Sequence, residues 1–309
     1  MNLMVNSIKS ISTSCRRVWV VVTCIFLPLM AVCADAGKLH IELQQLVSKY
    51  DAMVGIALIT DRGDTVTVNN DEHYPLMSVM KLHQAVYVAH CLDSLGLDMG
   101  YEVCVNKEDL KPNTYSPLRD RYPDGGITLT VGELLCYTLQ HSDNNACDLL
   151  FDRFGRPAAV DAYVRSLGFA EFAISATEDD MHRDAELCHS NYSTPLEAAR
   201  FIDWLYNGCY GGDNLQYVRQ VLLDCRTGLQ RIPAGVPADV KVAHKTGTSD
   251  CDALGRWVAV NDVAYVILPD DRNYSLVVFV GNAGEDFAAV EQLIANISRE
   301  VYMSVKQSQ

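Results

Sequence analysis

Strand-like patterns crowd the two ends of this 309-residue chain, and a long helical stretch lies between them. No other feature constrains the fold as much. After an amphipathic helix, "KLHIELQQLVSKYDA", the segments "VGIALIT" and "TVTVNN" predict two strands joined by the turn "DRGD". Strand patterns return in "DVKVAHKTGT", "RWVAVNDVAYVILP" and "YSLVVFVGN". The chain closes on a helix whose Phe287, Val290, Leu293, Ile294, Ile297 and Val301 form one stripe. Residues 78 to about 225 are patterned as helices, with loops at "KPNTYSPLRDRYPDGG" and at 176–194. Strands from both termini must share one antiparallel sheet to bury their apolar faces, with the helical middle as a second lobe. The expected class is therefore α+β and two-lobed: one lobe from 37–77 and 226–309, an all-helical lobe from 78–225, and a cleft between them.

Residues 1–36 stand apart. Lys9, Arg16 and Arg17 precede "VWVVVTCIFLPLMAVC", and small residues follow in "AVCADAG". This is the order of a secretory signal, cleaved after Ala34 or Ala36, and it implies a periplasmic or secreted protein. The apolar run holds Pro28 and is too short to span a bilayer. Met30 and Val32 are poor flanks for lipid attachment at Cys33. Cleavage removes three bases and Asp35, so the formal charge moves from −14 to −16. So acidic a chain is unsuited to nucleic acid or an anionic membrane surface. Eight of the 11 cysteines lie beyond Cys33 with no CxxC pair, which argues against structural zinc and leaves disulfide connectivity open.

The segment "YPLMSVMKLHQAVYVAHCLDSLG" raises the chemical question. It predicts a helix buried on most sides, yet Lys81 sits in its first turn and Ser78 one turn earlier. A buried lysine needs partners. Ser78 is either a helix cap or a nucleophile, and this stretch alone supports both. Three further polar clusters bear on the choice: Ser142, Asp143 and Asn144 in "LQHSDNNACDLLF", Glu178 in "ATEDDMHRD", and Lys245, Thr246 and Gly247 in "VAHKTGTS". Singly, each suits a cap, a solvated loop or a turn.

Taken in order, Ser-x-x-Lys, Ser-Asp-Asn, a loop glutamate and Lys-Thr-Gly resemble the class A serine β-lactamases over nearly the whole mature chain. "YSP" at Tyr115–Pro117 and "LTVGELL" are also similar to that family. The resemblance implies the β-lactamase/transpeptidase-like fold, hydrolysis of β-lactam antibiotics through an acyl-Ser78 intermediate, and no metal or cofactor. It further implies that Lys81 or Glu178 activates Ser78, that Ser142 relays a proton, and that Glu178 activates the deacylating water. The Ser78 and Thr248 backbone N–H groups would bind the oxyanion. Asn144 would hold the substrate amide, with Tyr115 and Ser249 also contacting substrate. Lys245, Thr246, Thr248 and Arg231 would receive its carboxylate, since Asn261 occupies the position of the family's other arginine.

Some positions depart from the pattern. The ion pair that usually closes the glutamate loop is replaced by Ala176 and Asn191, and the asparagine beside the water by His182, expected to prop the loop. The usual disulfide positions hold Ala85 and Leu135. These changes resemble the cephalosporinase-leaning, extended-spectrum branch. Two rivals share the nucleophile: a penicillin-binding DD-peptidase and a non-enzymatic β-lactam sensor. The DD-peptidases generally lack a residue like Glu178, the sensor would be tethered to a membrane-spanning segment, and both would hold the acyl adduct. The expected partner is a small-molecule β-lactam and the expected state a monomer.

Overall fold

The computed structural model describes residues 36–208 and 211–307; the signal-like segment lies outside this range. A five-stranded antiparallel sheet runs in the order Thr65–Val68, Met53–Thr60, Asn273–Ala283, Trp257–Ile267, Lys241–Thr248. The two C-terminal strands at its centre are buried on both faces, so they read as long apolar runs. Along Met53–Thr60 the side chains alternate: Val54, Ile56 and Leu58 face one core and Ala57 the other. The first core lies under helix 36–47 and the C-terminal helix Phe287–Gln307, with Leu39, Leu43, Leu293 and Ile297 fully or nearly enclosed. The second joins the sheet to the helical middle.

At the centre of that middle is the helix Met80–Leu95, ended by Gly96 in the left-handed region, where its N–H bonds back to Asp93 and Leu92 carbonyls. Leu82, Val86, Val88 and Leu92 are enclosed, each worth roughly 1.5–3 kcal/mol of burial. That apolar burial is what fixes the helix and carries Lys81 into the interior. His83 on the same helix is a core residue, stacked on Phe201 at 4.2 Å and Phe172 at 5.6 Å. Burial lowers its pKa to about 4, so it is neutral.

The helical middle also carries two short ladders. Glu102–Val105 pairs with Ile127–Thr130, and Tyr192–Ser193 pairs with both Tyr74–Pro75 and Phe172–Ala173. The second ladder ties the segment before Ser78 to the end of the Glu178 loop. Two-residue strands are too short to show a period in sequence.

Candidate active site

Ser78 sits in the 3-10 turn Met77–Val79 that leads into the Met80–Leu95 helix. It caps neither: no side-chain cap bond forms at either start, and its Oγ donates to Glu178 Oε1 at 3.1 Å. Met77, just before it, has φ 48°, a costly value for a side chain with a Cβ. The turn is held there by the neighbouring strand. A Cβ on Gly247 would run into the Leu76 carbonyl oxygen and Met77, so glycine is what lets the sheet edge reach the nucleophile.

Lys81 is fully buried and fully partnered. Its Nζ lies 2.9 Å from Glu178 Oε1 and donates to the Ser142 carbonyl and Asn144 Oδ1, each at 2.7 Å. Ser142 is itself left-handed, φ 59°, which turns its carbonyl towards Lys81. Its Oγ accepts from Lys245 Nζ at 2.9 Å. Asp143 anchors this corner by accepting from Ala146 N–H, Leu118 N–H and the Ser116 hydroxyl. Burial raises the Asp143 pKa, against the pull of those bonds. Asn144 also donates to Thr114 Oγ1 at 2.8 Å and takes the Tyr115 carbonyl on its backbone N–H. The Tyr115 ring is exposed at the cleft rim.

Glu178 begins the short helix Glu178–Arg183, capped by Thr177 in a reciprocal box with Asp180. Asp148, to which no sequence motif points, holds this turn from below: its two oxygens accept the Glu178 and Asp179 backbone N–H groups, both at 2.9 Å. Burial, then the Glu178 charge, push its pKa up to about 7. Lys111 bridges Asp148 and Asp179. The clasp at the loop's ends is Asn191. Its Oδ1 accepts from Ser175 and Ala176 N–H, its Nδ2 donates to the Ala176 carbonyl at 2.9 Å, and its own carbonyl accepts from Leu76 N–H. A neutral amide thus closes the loop where an ion pair is usual in the family. His182 does not prop the loop from within; it is exposed on the cleft wall, and the bracing falls to Asp148 and Asn191.

The opposite wall is the sheet edge. Lys245 is fully buried, donating to Ser142 Oγ and to the Thr246 carbonyl at 2.7 Å. Burial, then Lys81, pull its pKa down to about 7. Arg231 is buried, and its Nη2 donates to Thr248 Oγ1 at 2.7 Å. Its other donors reach the Gly247 and Asn261 carbonyls and Glu291. Thr246 Oγ1 meets Thr227 Oγ1 at 2.6 Å. Thr227, missed in the sequence, lies in the same "RTGLQR" turn as Arg231. Ser249 is buried beside them, bonded through both Oγ and N–H to Ala259. Asn261 faces away, donating to the Pro75 carbonyl, so it cannot substitute for a substrate-binding cation.

The cleft between the walls has a volume of about 980 Å³ and is lined by Ser78, Ser142, Asn144, Glu178, Arg231 and Thr248, among others. A serine with an adjacent carboxylate and lysine, facing a wall that carries Lys245 and Arg231, has the components of a serine acyl-transfer site. The chain belongs to the β-lactamase enzyme family, whose sequence profile matches residues 38–305. It is 36% identical to a β-lactamase of Bacteroides uniformis over 87% of this chain and 92% of that one. Identity to the extended-spectrum β-lactamase PER-1 of Pseudomonas aeruginosa is 34%, over 87% and 88%. Among solved structures, a class A β-lactamase of Bacteroides cellulosilyticus superimposes with TM-score 0.85 at 36% identity, covering 88% of this chain and 98% of that one. The fold and the β-lactamase activity expected from the sequence are therefore those of this protein.

Proposed function

We propose that Glu178 Oε1 takes the proton in both halves of the reaction. One observation carries this: the Ser78 hydroxyl and Lys81 Nζ converge on that single oxygen, at 3.1 and 2.9 Å. In acylation Ser78 Oγ attacks the lactam carbonyl carbon as its proton passes to Glu178, with Lys81 holding the carboxylate in line. The oxyanion forms against the Ser78 and Thr248 backbone N–H groups. The lactam C–N bond breaks, and its nitrogen takes the Ser142 proton, which Lys245 replaces across their 2.9 Å bond. Before deacylation Glu178 gives up that proton to solvent and Lys245 regains one, which restores both groups. Water then attacks the acyl carbon and gives its proton to Glu178, and as the ester bond breaks that proton passes on to Ser78 Oγ.

In this reading the substrate carboxylate lies against Lys245, Thr246 and Thr248, with Arg231 behind, and Tyr115 and Ser249 border the bound ring system. Asn144 meets the substrate's side-chain amide through its Nδ2, exchanging the Thr114 bond. The roomy cleft and the neutral Asn191 clasp support a leaning towards cephalosporins with bulky side chains, in keeping with the extended-spectrum name of PER-1. We also infer an exported protein: the sequence of residues 1–36 runs from basic to apolar to small residues as a secretory signal does, and no described helix is long and apolar enough to cross a membrane. The test is hydrolysis of a chromogenic cephalosporin with Glu178→Ala run beside the wild type. Loss of both burst and turnover in the variant supports Glu178 in both halves; a stoichiometric burst without turnover confines it to deacylation, and equal turnover removes it.

A further inference from the structure

Asp262 breaks a buried apolar row. Val260, Ala264 and Val266 on its strand face the core under the C-terminal helix, and Asp262 stands among them, fully enclosed. A carboxylate there needs partners, and the reaction gives it no part. Its two oxygens go to different elements. Oδ2 accepts from Ile232 N–H at 3.1 Å, and Oδ1 lies 3.0 Å from Nδ1 of the buried His244 on the edge strand. A carboxylate offers only acceptors, so His244 Nδ1 carries the hydrogen in that bond. Thr246 stands opposite Asp262 in the ladder, which sets the pair directly behind the substrate-carboxylate wall.

What Asp262 holds is the residue after Arg231. Arg231 leads into the 3-10 turn Ile232–Gly235, so the Ile232 N–H belongs to the peptide unit that joins the two. The far side of Ile232 is held by the C-terminal helix, where Ser298 Oγ donates to the Ile232 carbonyl at 2.9 Å. A Cβ on Gly235 would run into Ser298 and the Ala295 carbonyl oxygen, so the turn sits directly on that helix. Sheet and helix thus clamp both polar groups of one residue, next to the Arg231 Cα. From that point the side chain reaches Thr248 Oγ1 at 2.7 Å, the Gly247 and Asn261 carbonyls, and Glu291. Its guanidinium carbon lies 5.6 Å from the centre of the Phe287 ring. A residue on a strand is aimed by its ladder. An arginine on a turn has a long, freely rotating stem and needs its backbone anchored separately.

We propose that Asp262 is a positioning residue for Arg231: with His244 holding its carboxylate in place, it fixes the Ile232 N–H and so sets where the guanidinium meets Thr248. Neither member of the pair bonds to the guanidinium; the effect passes through the peptide between Arg231 and Ile232. Asp262→Asn tests this with almost no change of shape. An amide has one acceptor oxygen, so its Nδ2 must face either the Ile232 N–H or the His244 Nδ1–H, and one of the two bonds becomes donor against donor. The turn then loses its fixed place on the sheet, and the Thr248 contact is made for a smaller share of the time.

The proposal rests on the carboxylate-binding role of Arg231, and two measurements keep the two ideas separable. The first needs no turnover: the Nε–H proton resonance of Arg231 in the purified protein, assigned by its absence from Arg231→Ala. In Asp262→Asn this signal should shift and exchange with solvent about tenfold faster. An unchanged signal overturns the proposal. The second is steady-state kinetics with a cephalosporin and its carboxylate methyl ester. Asp262→Asn should raise KM for the acid about tenfold with kcat held, and leave the ester unchanged. Placed in an Arg231→Ala background, the same substitution should add nothing to the loss for the acid. An equal loss for acid and ester, or a loss that persists without Arg231, would mean that Asp262 only supports the fold. If Asp262→Asn fails to fold, His244 carries the test. His244→Ala should act in the same direction, and His244→Asn, whose Nδ2–H can stand where Nδ1–H was, should restore the acid KM and the Arg231 signal. Equal KM values for His244→Ala and wild type would overturn the proposal. Should the wild type show no preference for acid over ester, the carboxylate role of Arg231 falls, while its resonance still reports whether Asp262 positions it.

Discussion

The two walls of the cleft bury a lysine each, and they treat it differently. On the helical wall Lys81 has a carboxylate at 2.9 Å and two carbonyl-type acceptors, a fully compensated charge. On the sheet wall Lys245 has a hydroxyl and a carbonyl, and Arg231 nearby spends its guanidinium on carbonyls, Thr248 and Glu291. Compensated charge suits a group that must hold a carboxylate in line without drawing in ions. Under-compensated charge suits a pocket that waits for an anion from outside. The lesson is that burial alone does not assign a lysine its role; the acceptors around it do.

The comparison can be broken most severely at Ser78. Ser78→Ala should lower kcat by about a million-fold, as loss of a serine nucleophile does elsewhere, and hydrolysis at anything near the wild-type rate would remove the helical wall from the chemistry. Glu178→Ala should slow both acylation and turnover by roughly 10²- to 10⁴-fold; an acyl adduct that forms at the wild-type rate and then persists, seen as a mass increase on the intact protein, would confine Glu178 to deacylation. On the sheet wall, Arg231→Ala should reduce kcat/KM roughly 10- to 100-fold for substrates bearing a carboxylate, from the loss of a charge-assisted hydrogen bond of about 1.5–3 kcal/mol. The methyl esters should be far less affected, and an equal loss for both would return Arg231 to a structural role.

Smaller effects sharpen how the helical wall is held. Asn191→Ala strands the Ser175 and Ala176 N–H groups and should cost about 1–3 kcal/mol, read as a lower denaturation midpoint. Asp148 gives a pH signature. Its folded pKa, about 7, lies above the unfolded value near 3.8, so the folded state binds the extra proton between them. This contribution therefore falls as pH rises from about 4 to about 7 and is level above. The Tm of wild type should drop across that window relative to Asp148→Asn; parallel profiles would show that Asp148 stays ionised throughout.

Much of the molecule is legible in the order of its residues. The sheet strands announce themselves because each combines β-branched runs with turn residues at its ends, and the C-terminal helix does so by its stripe. The motif residues Ser78, Lys81, Ser142, Glu178 and Lys245 stand out because polar groups in apolar surroundings need a reason. Asp148 does not stand out, since an aspartate on a helix is ordinary until its two oxygens are seen to accept the Glu178 and Asp179 N–H groups. In the sequence Asn191 marks only a missing ion pair, and its role as a neutral clasp needs three bonds that close in space. The buried His244–Asp262 pair has no spacing to betray it, because its members come from two neighbouring strands.

What the sequence by itself determined is periodicity and residue type: which segments are strands or helices, which faces are apolar, and which reactive side chains the chain possesses. These are set by interactions a few residues apart, which a linear pattern records. What only the tertiary structure decided is partnership. Whether Ser78 capped a helix or faced Glu178, whether Lys81 or Lys245 found a carboxylate, and what lay beneath Lys245 depend on contacts between residues up to about a hundred positions apart. Electrostatic and hydrogen-bond energies fall off over a few ångströms, so they are fixed only when packing has set those distances.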